Sequence, residues 1–167
     1  MTSDEEREFG DYVVARSRRL REFAYLLCGD WHEAEDAVQT ALTKLFLAWR
    51  RVRDRDAMDP YVRRIIVRVI VDQRRLARFR REASWADPPD GRPVDDPADA
   101  TPERLAVLRA LAGVAPRQRA VLVLRFWEDQ SVEQVAELLG CSTGTVKSQT
   151  ARGLQTLRDR LSHQLTI

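Results

Sequence analysis

The sequence predicts an all-α protein of two small helical domains joined by a flexible acidic linker, and three observations carry that prediction. The stretch QSVEQVAELLGCSTGTVKSQTARGLQTLRDR, from Gln130 to Arg160, has the spacing of a helix-turn-helix. A 3-4 apolar repeat runs without a break from Ala34 to Trp49, as one buried face of a helix requires. Between these lies EASWADPPDGRPVDDPADATP, rich in Pro, Asp and Ala and without helical periodicity. The expected division is a first domain over 1–81, a linker over 82–101 and a second domain over 102–167.

The first helix is expected from about Glu5 to Leu27, with Phe9, Tyr12, Val13, Leu20, Phe23 and Leu27 turned inward and Gly29 just beyond its end. Asp30 and Glu33 form an acidic version of a capping box for the next helix. That helix buries Ala34, Ala37, Val38, Ala41, Leu42, Leu45, Phe46 and Trp49, and turns Glu35, Asp36, Gln39, Thr40 and Thr43 outward. The segment RRVRDRDAMD is polar and breaks the pattern. Asp59 and Pro60 then mark a new start as N-cap and first-turn residue.

The run YVRRIIVRVIVDQRRLARFRR has enough Val and Ile for a strand, but its period is helical. On a wheel, Arg63, Arg64, Arg68, Arg74, Arg75, Arg78 and Arg81 share one face, opposite Val62, Ile65, Ile66, Val69, Leu76 and Phe79. Clustered arginines with little acid among them repel one another, and a polyanion relieves that cost.

In the second domain Ser131 is placed to cap a helix, with Gln134 completing a capping box and Val132, Val135, Ala136 and Leu139 facing inward. Gly140 supplies the positive φ of a tight turn, and Ser142 caps a second helix from about Thr143 to Leu161. That helix buries Val146, Thr150, Leu154, Leu157 and Leu161. Its outer side carries Thr145, Lys147, Ser148, Gln149, Arg152 and Gln155, side chains able to reach phosphates and base edges in a major groove.

Composition narrows the choices. A chain of 167 residues with 44% hydrophobic side chains can bury folded cores. No apolar run approaches the roughly 18 residues of a membrane span, and the acidic start MTSDEERE lacks a signal peptide's basic and apolar parts, so a cytoplasmic location without membrane insertion is expected. Two isolated cysteines and two histidines suggest neither a disulfide framework nor a metal site. No cofactor is expected. The net charge of +2 hides a division: Met1–Arg81 has 18 basic and 14 acidic residues, Glu82–Glu103 has 1 and 7, and Arg104–Ile167 has 9 and 5. Two basic domains flank an acidic tether.

These residues resemble a known family over nearly the whole chain. HEAEDAVQTALTKLFLAWR, followed by the Pro-Tyr-Val-Arg-Arg-Ile helix, resembles domain 2 of the bacterial sigma factors, and APRQRAVLVLRFWEDQSVEQVAELLGCSTGTVKSQ resembles their domain 4. The short chain, with one linker in place of an intervening domain, is similar to the extracytoplasmic-function (ECF) group of the sigma-70 family in its actinobacterial form. The resemblance implies that Asp36, Gln39, Thr40 and Thr43 face the β′ clamp helices of RNA polymerase core, with further contact to the β subunit. It implies that the loop Val52 to Asp59 and the helix bearing Tyr61, Arg63, Arg64, Arg68 and Arg75 engage the promoter −10 element and hold an extruded base. It implies that Thr145, Lys147, Ser148, Gln149 and Arg152 read the −35 element as duplex, and that an anti-sigma factor is a candidate partner. Thr40 and Ala41 stand where the family often has Glu and Thr, and Gln149 replaces a frequent Arg. Neither the charge contact at Thr40 nor the base preference at Gln149 carries over.

The expected function is therefore that of a promoter-selecting initiation factor without enzymatic activity, monomeric when free. The alternative is a stand-alone helix-turn-helix operator-binding regulator, which leaves the arginine face and the docking helix without a role and would need a dimer seam that is not visible. A DNA-processing enzyme would need a held acidic cluster, and Asp95, Asp96 and Asp99 lie in a Pro-rich linker that cannot hold ligands rigidly.

Overall fold

The computed structural model describes residues 1–84 and 101–165, with side chains described for 1–74, 76 and 101–164. The expected linker lies outside the described residues from 85 to 100. Among the described residues every regular element is helical: α1 (Ser3–Cys28), α2 (Trp31–Ala48), α3 (Met58–Ser84), α4 (Pro102–Ala112), α5 (Pro116–Leu122), α6 (Val132–Leu139) and α7 (Thr143–Leu165). A 3-10 turn, Arg55–Ala57, precedes α3, and a π-helical turn, Val123–Trp127, continues α5. The chain divides into two compact units, one of Met1–Tyr25 with α2 and α3, the other of Leu26–Asp30 with α4 to α7.

In the first unit α2 lies against α3, and its inner stripe is built from small and branched residues in alternation. Ala34, Ala37 and Ala41 are fully buried, which lets a neighbouring helix approach closely, while Val38, Leu42 and Leu45 fill the remaining space. Leu20, Phe23, Val62 and Ile66 complete the core. Each such side chain stabilises the unit by about 1.5–3 kcal/mol relative to leaving it in water.

Three expectations for this unit need correction. Phe46 is 41% exposed, because its ring packs edge-on against Phe9 at 5.2 Å on the rim of the core and not within it. Helix α3 begins at Met58, so Asp59 sits in its first turn and is not its N-cap. Asp54 instead caps the preceding 3-10 turn, accepting from the Asp56 N–H, and the Asp59 carboxylate is taken by the Tyr12 hydroxyl at 2.6 Å and by Arg16 at 3.5 Å.

The third correction concerns the face that α3 buries. Met58, Val62, Ile66, Val67 and Ile70 are inside, whereas Ile65 and Val69 are half-buried and Leu76 is 57% exposed. At 100° per residue the buried face is rotated by about a quarter turn from the expected one. Arg63 and Arg74 consequently fall toward the core: the Arg63 guanidinium lies 4.8 Å over the Phe23 ring, and Arg74 donates to Glu33 on α2 at 3.1 Å. The side chains of Arg75, Arg78, Phe79 and Arg81 lie outside the described ones.

In the second unit the caps and the turn follow the sequence closely, whereas of the α7 side chains expected inside only Val146 is buried, and Thr150, Leu154, Leu157 and Leu161 are half-buried. Thr101 caps α4, accepting from the Arg104 N–H at 3.3 Å, and Pro102 opens the helix with the φ already suited to it. Ser131 Oγ accepts from the Gln134 N–H at 3.1 Å while Gln134 Oε1 accepts from the Ser131 N–H at 2.8 Å, a complete capping box. Gly140 ends α6 at φ 64° and ψ 42°. Ser142 Oγ accepts from the Thr145 N–H at 3.1 Å at the head of α7. Val135, Ala136, Leu139 and Val146 are buried together at the crossing of α6 and α7. Where α7 passes α5, Gly153 leaves room for Leu122: an added Cβ would lie 3.0 Å from its Cδ1.

Candidate functional site

Three surfaces gather the residues singled out by the sequence. On the first, Asp36, Gln39, Thr40 and Thr43 are all exposed on one side of α2. The Thr40 hydroxyl donates to the Asp36 carbonyl at 2.9 Å and the Thr43 hydroxyl to the Gln39 carbonyl at 2.8 Å. Each hydroxyl proton is thus committed to the threonine's own helix. Beside them runs a groove of about 530 Å³ between α1 and α2, floored by Phe9, Val13, Val38, Leu42 and Phe46 and rimmed by Arg21, Glu35, Asp36, Gln39 and Thr43. An apolar floor with a polar rim is the anatomy of a protein-docking surface. The sequence pointed to the rim but not to the groove, because Phe46 was expected inside.

The second surface is the start of α3 with the loop before it. Arg64 and Arg68 are exposed and Tyr61 is 37% exposed, so these remain available to a ligand. Arg63 is half-buried over Phe23, and the Arg75 side chain lies outside the described ones. Nearby is a pocket of about 450 Å³ lined by Glu8, Asp11, Tyr12, Arg16, Trp49, Arg55, Asp56, Met58 and Asp59. Burial, and then the hydrogen bond to Asp59, push the Tyr12 phenol above its ordinary value, so it stays protonated further into the alkaline range.

The third surface is the outer side of α7. Lys147, Ser148 and Arg152 are exposed, and Thr145 is half-buried with its hydroxyl 2.9 Å from that of Ser142. Gln149 departs from expectation: it is half-buried, and its Oε1 is enclosed without a hydrogen-bond partner. At 100° per residue Gln149 lies on the shoulder next to Val146, so it edges the core and does not share the centre of the outer face with Ser148 and Arg152. Gln155 is exposed and its amide donates to Asp159 at 3.0 Å.

The described residues hold no group of three or more His, Cys, Asp or Glu suited to a metal ion, and no described helix is long and apolar enough to cross a membrane. The sequence reading missed the π-helical turn, which leaves Phe126 and Trp127 60% and 58% exposed ahead of the helix-turn-helix. Nothing in the residue pattern distinguishes that turn from a continued α5.

A helix-turn-helix behind a separate helical unit defines a class, and comparison with known proteins narrows it. Residues 13–80 match the family Sigma-70 region 2, and residues 104–157 match Sigma-70, region 4. The chain is 37% identical over 154 residues to a protein of Streptomyces coelicolor named RNA polymerase sigma-E factor, covering 92% of this chain and 86% of that one. It is 33% identical over 196 residues to ECF RNA polymerase sigma factor SigG of Mycobacterium tuberculosis, covering 96% of this chain and 52% of the relative. The fold resembles the sigma factor RpoE in a co-crystal with the anti-sigma factor NepR from Bartonella quintana, with a TM-score of 0.70 at 22% identity over 93% of this chain and 97% of that one. The chain belongs to the sigma-70 family of RNA polymerase sigma factors, in its ECF group.

Proposed function

We propose that the chain confers promoter choice on RNA polymerase core through the three surfaces described, with no enzymatic activity of its own and within the cytoplasm. The domain limits proposed are 1–81 for the unit that meets core and the −10 element, 82–101 for the linker and 102–167 for the unit that reads the −35 element. Asp36, Gln39, Thr40 and Thr43 dock on the β′ clamp helices. The groove beside them receives apolar side chains from that coiled coil, and the β subunit receives the second unit. Tyr61, Arg64, Arg68 and Arg75 track the −10 non-template strand, with Arg63 seating the helix that carries them. On the −35 element, Lys147, Ser148 and Arg152 face the major groove, Thr145 braces the start of α7, and Gln149 acts at the groove edge. An anti-sigma factor is proposed as a regulatory partner that covers one or more of these surfaces.

The observation that carries this reading is the outer face of α7, free of acid before Asp159 and exposed at Lys147, Ser148 and Arg152, in a chain whose other unit bears an apolar groove ringed by Asp36 and Gln39. A stand-alone regulator has no use for the second of these. Transcription from a genomic library by purified core polymerase, with and without the protein, tests the proposal. Protein-dependent transcripts sharing an upstream two-part sequence are expected. Transcripts unchanged by the protein would refute it, and light scattering on the free protein should give a monomer.

A further inference from the structure

The pocket at the α1–α3 junction carries a charge that docking and strand tracking leave unused. Its lining sets four carboxylates, from Glu8, Asp11, Asp56 and Asp59, against two guanidinium groups, from Arg16 and Arg55. Both guanidinium groups are already spent: Arg16 pairs with Asp59, which also accepts from the Tyr12 hydroxyl, and Arg55 pairs with Glu8. Asp11 and Asp56 are left over. Both are exposed, and among the described residues neither carboxylate takes a hydrogen bond or ion pair. Two uncompensated negative charges on one pocket repel each other, and a cation relieves that cost. A separate feature lies in the same lining. Trp49 is 3% exposed, and its indole N–H is enclosed without an acceptor. A buried donor of this kind is rare in a folded protein unless a ligand or water completes it.

An occupant that satisfies both features brings a positive charge and a hydrogen-bond acceptor together. A phosphate, and a nucleic-acid backbone with it, is repelled by the carboxylates. A bare metal ion has nothing with which to accept from the indole N–H, and the described residues hold no group of three or more metal ligands. A free small molecule calls for enclosure over most of its surface, whereas Asp11 and Asp56 stand open to solvent. A basic residue reaching in from the surface of another protein supplies both parts: its ammonium or guanidinium for the carboxylates, and its main-chain carbonyl for the indole. We infer that this pocket of about 450 Å³ is a protein-docking site that takes one lysine or arginine side chain of a partner. Asp11 and Asp56 hold the cation, and Trp49 donates to the carbonyl beside it. Arg16 and Arg55, each neutralised by its own carboxylate, do not compete for the pair. This site lies beyond the surfaces assigned to core polymerase and the −10 strand and does not depend on either assignment.

The test uses the full chain at low ionic strength, where exposed charges are least screened. NMR reads the indole N–H signals of its four tryptophans, and Trp49→Phe identifies the Trp49 signal. The probes are Nα-acetyl-argininamide and Nα-acetyl-lysinamide, which carry one cation beside main-chain carbonyls. Methylguanidinium carries the cation alone, N-acetylglycinamide the carbonyls alone, and spermidine stands for a free polyamine. At least one of the two basic amides should shift the Trp49 signal saturably, with a Kd on the order of millimolar. Methylguanidinium and N-acetylglycinamide should each bind about fivefold more weakly or less. Asp11→Asn and Asp56→Asn, at exposed and unpaired positions, should not lower the melting temperature, and each should weaken the basic amide by about threefold. Trp49→Phe keeps the ring and removes the N–H, so by fluorescence-independent calorimetry it should weaken the basic amide several-fold and leave methylguanidinium unchanged. No Trp49 shift with either basic amide, or unchanged affinity in both Asp variants, would overturn the inference. Spermidine or methylguanidinium shifting Trp49 as readily as the amides would overturn it too, because the carbonyl would then have no part. Clamp docking and strand opening are reported separately by core capture and footprinting, so their failure is distinguishable from failure here.

Discussion

Gly140 gives the sharpest test of the helix-turn-helix geometry, because its contribution can be isolated from packing. Its backbone sits at φ 64° and ψ 42°, and a Cβ built there meets nothing within 4 Å. Replacement by an L-residue therefore costs only the backbone strain of the left-handed region, about 1–2 kcal/mol for Ala. A β-branched side chain adds further conflict with its own backbone, so Gly140→Val should cost about 2 kcal/mol or more, and Gly140→Asn less than Ala because Asn tolerates this region. The Gly140 N–H donates to the carbonyls at the end of α6, and the Cys141 N–H reaches the Ala136 carbonyl at 3.0 Å, so strain at this residue is transmitted to the last turn of α6. Native-state hydrogen exchange of α6 amides reads it locally, each 1.4 kcal/mol appearing as about tenfold faster exchange. The expected order of protection is Gly, Asn, Ala, Val. Equal protection in all four, or Asn as costly as Val, would refute the assignment of positive φ as the source of the cost.

The remaining expectations concern docking, packing and pH. Asp36→Arg with Gln39→Ala should leave helicity and melting nearly unchanged while weakening capture by core polymerase, since both side chains are exposed; normal capture in a pull-down would leave this face merely solvated. Gly153→Leu should destabilise the second unit by about 1–3 kcal/mol in urea unfolding, because the added side chain must displace Leu122 and Gln118 on α5; a neutral result would mean that α5 and α7 can part without cost. The raised Tyr12 value gives a definite sign: the phenol's contribution is fully present below the ordinary value of 10.0 and is lost as pH rises through the higher folded value. The stability difference between the parent and Tyr12→Phe should thus be flat from neutral pH to about 9 and shrink only in stronger base, as measured by denaturant unfolding at each pH.

Much of the second unit was legible because its signals are local. Ser131, Gln134 and Gly140 each specify a backbone geometry through their own side chain or its absence, and a short stretch of sequence displays all three. Helix α2 was legible for a similar reason: its alanines and leucines repeat on one face, and only Phe46, at the margin of the stripe, was misplaced. Helix α3 was harder. Val or Ile occupies most positions from 62 to 71, so the apolar arc is broad and the partners on α1 and α2 decide which part is buried. Phe23 and Glu33 draw Arg63 and Arg74 inward, and Val67 and Ile70 follow. The pocket near Trp49 was not legible, because its lining comes from α1, the loop and the start of α3, positions far apart in the chain. Gln149 was misread since helical spacing alone does not show how far the core extends around Val146.

On the proposed function the first unit opens promoter DNA when core polymerase holds it in place, and permanganate footprinting of unpaired thymines measures this most directly. With core polymerase and a promoter recovered from the genomic transcription assay, the parent protein should make thymines near the −10 element reactive. Arg64→Ala with Arg68→Ala, both exposed on α3, should retain −35 duplex binding and lose most of that reactivity. Equal opening by the double variant, or nanomolar binding of an operator by the free protein as a dimer, would contradict the account.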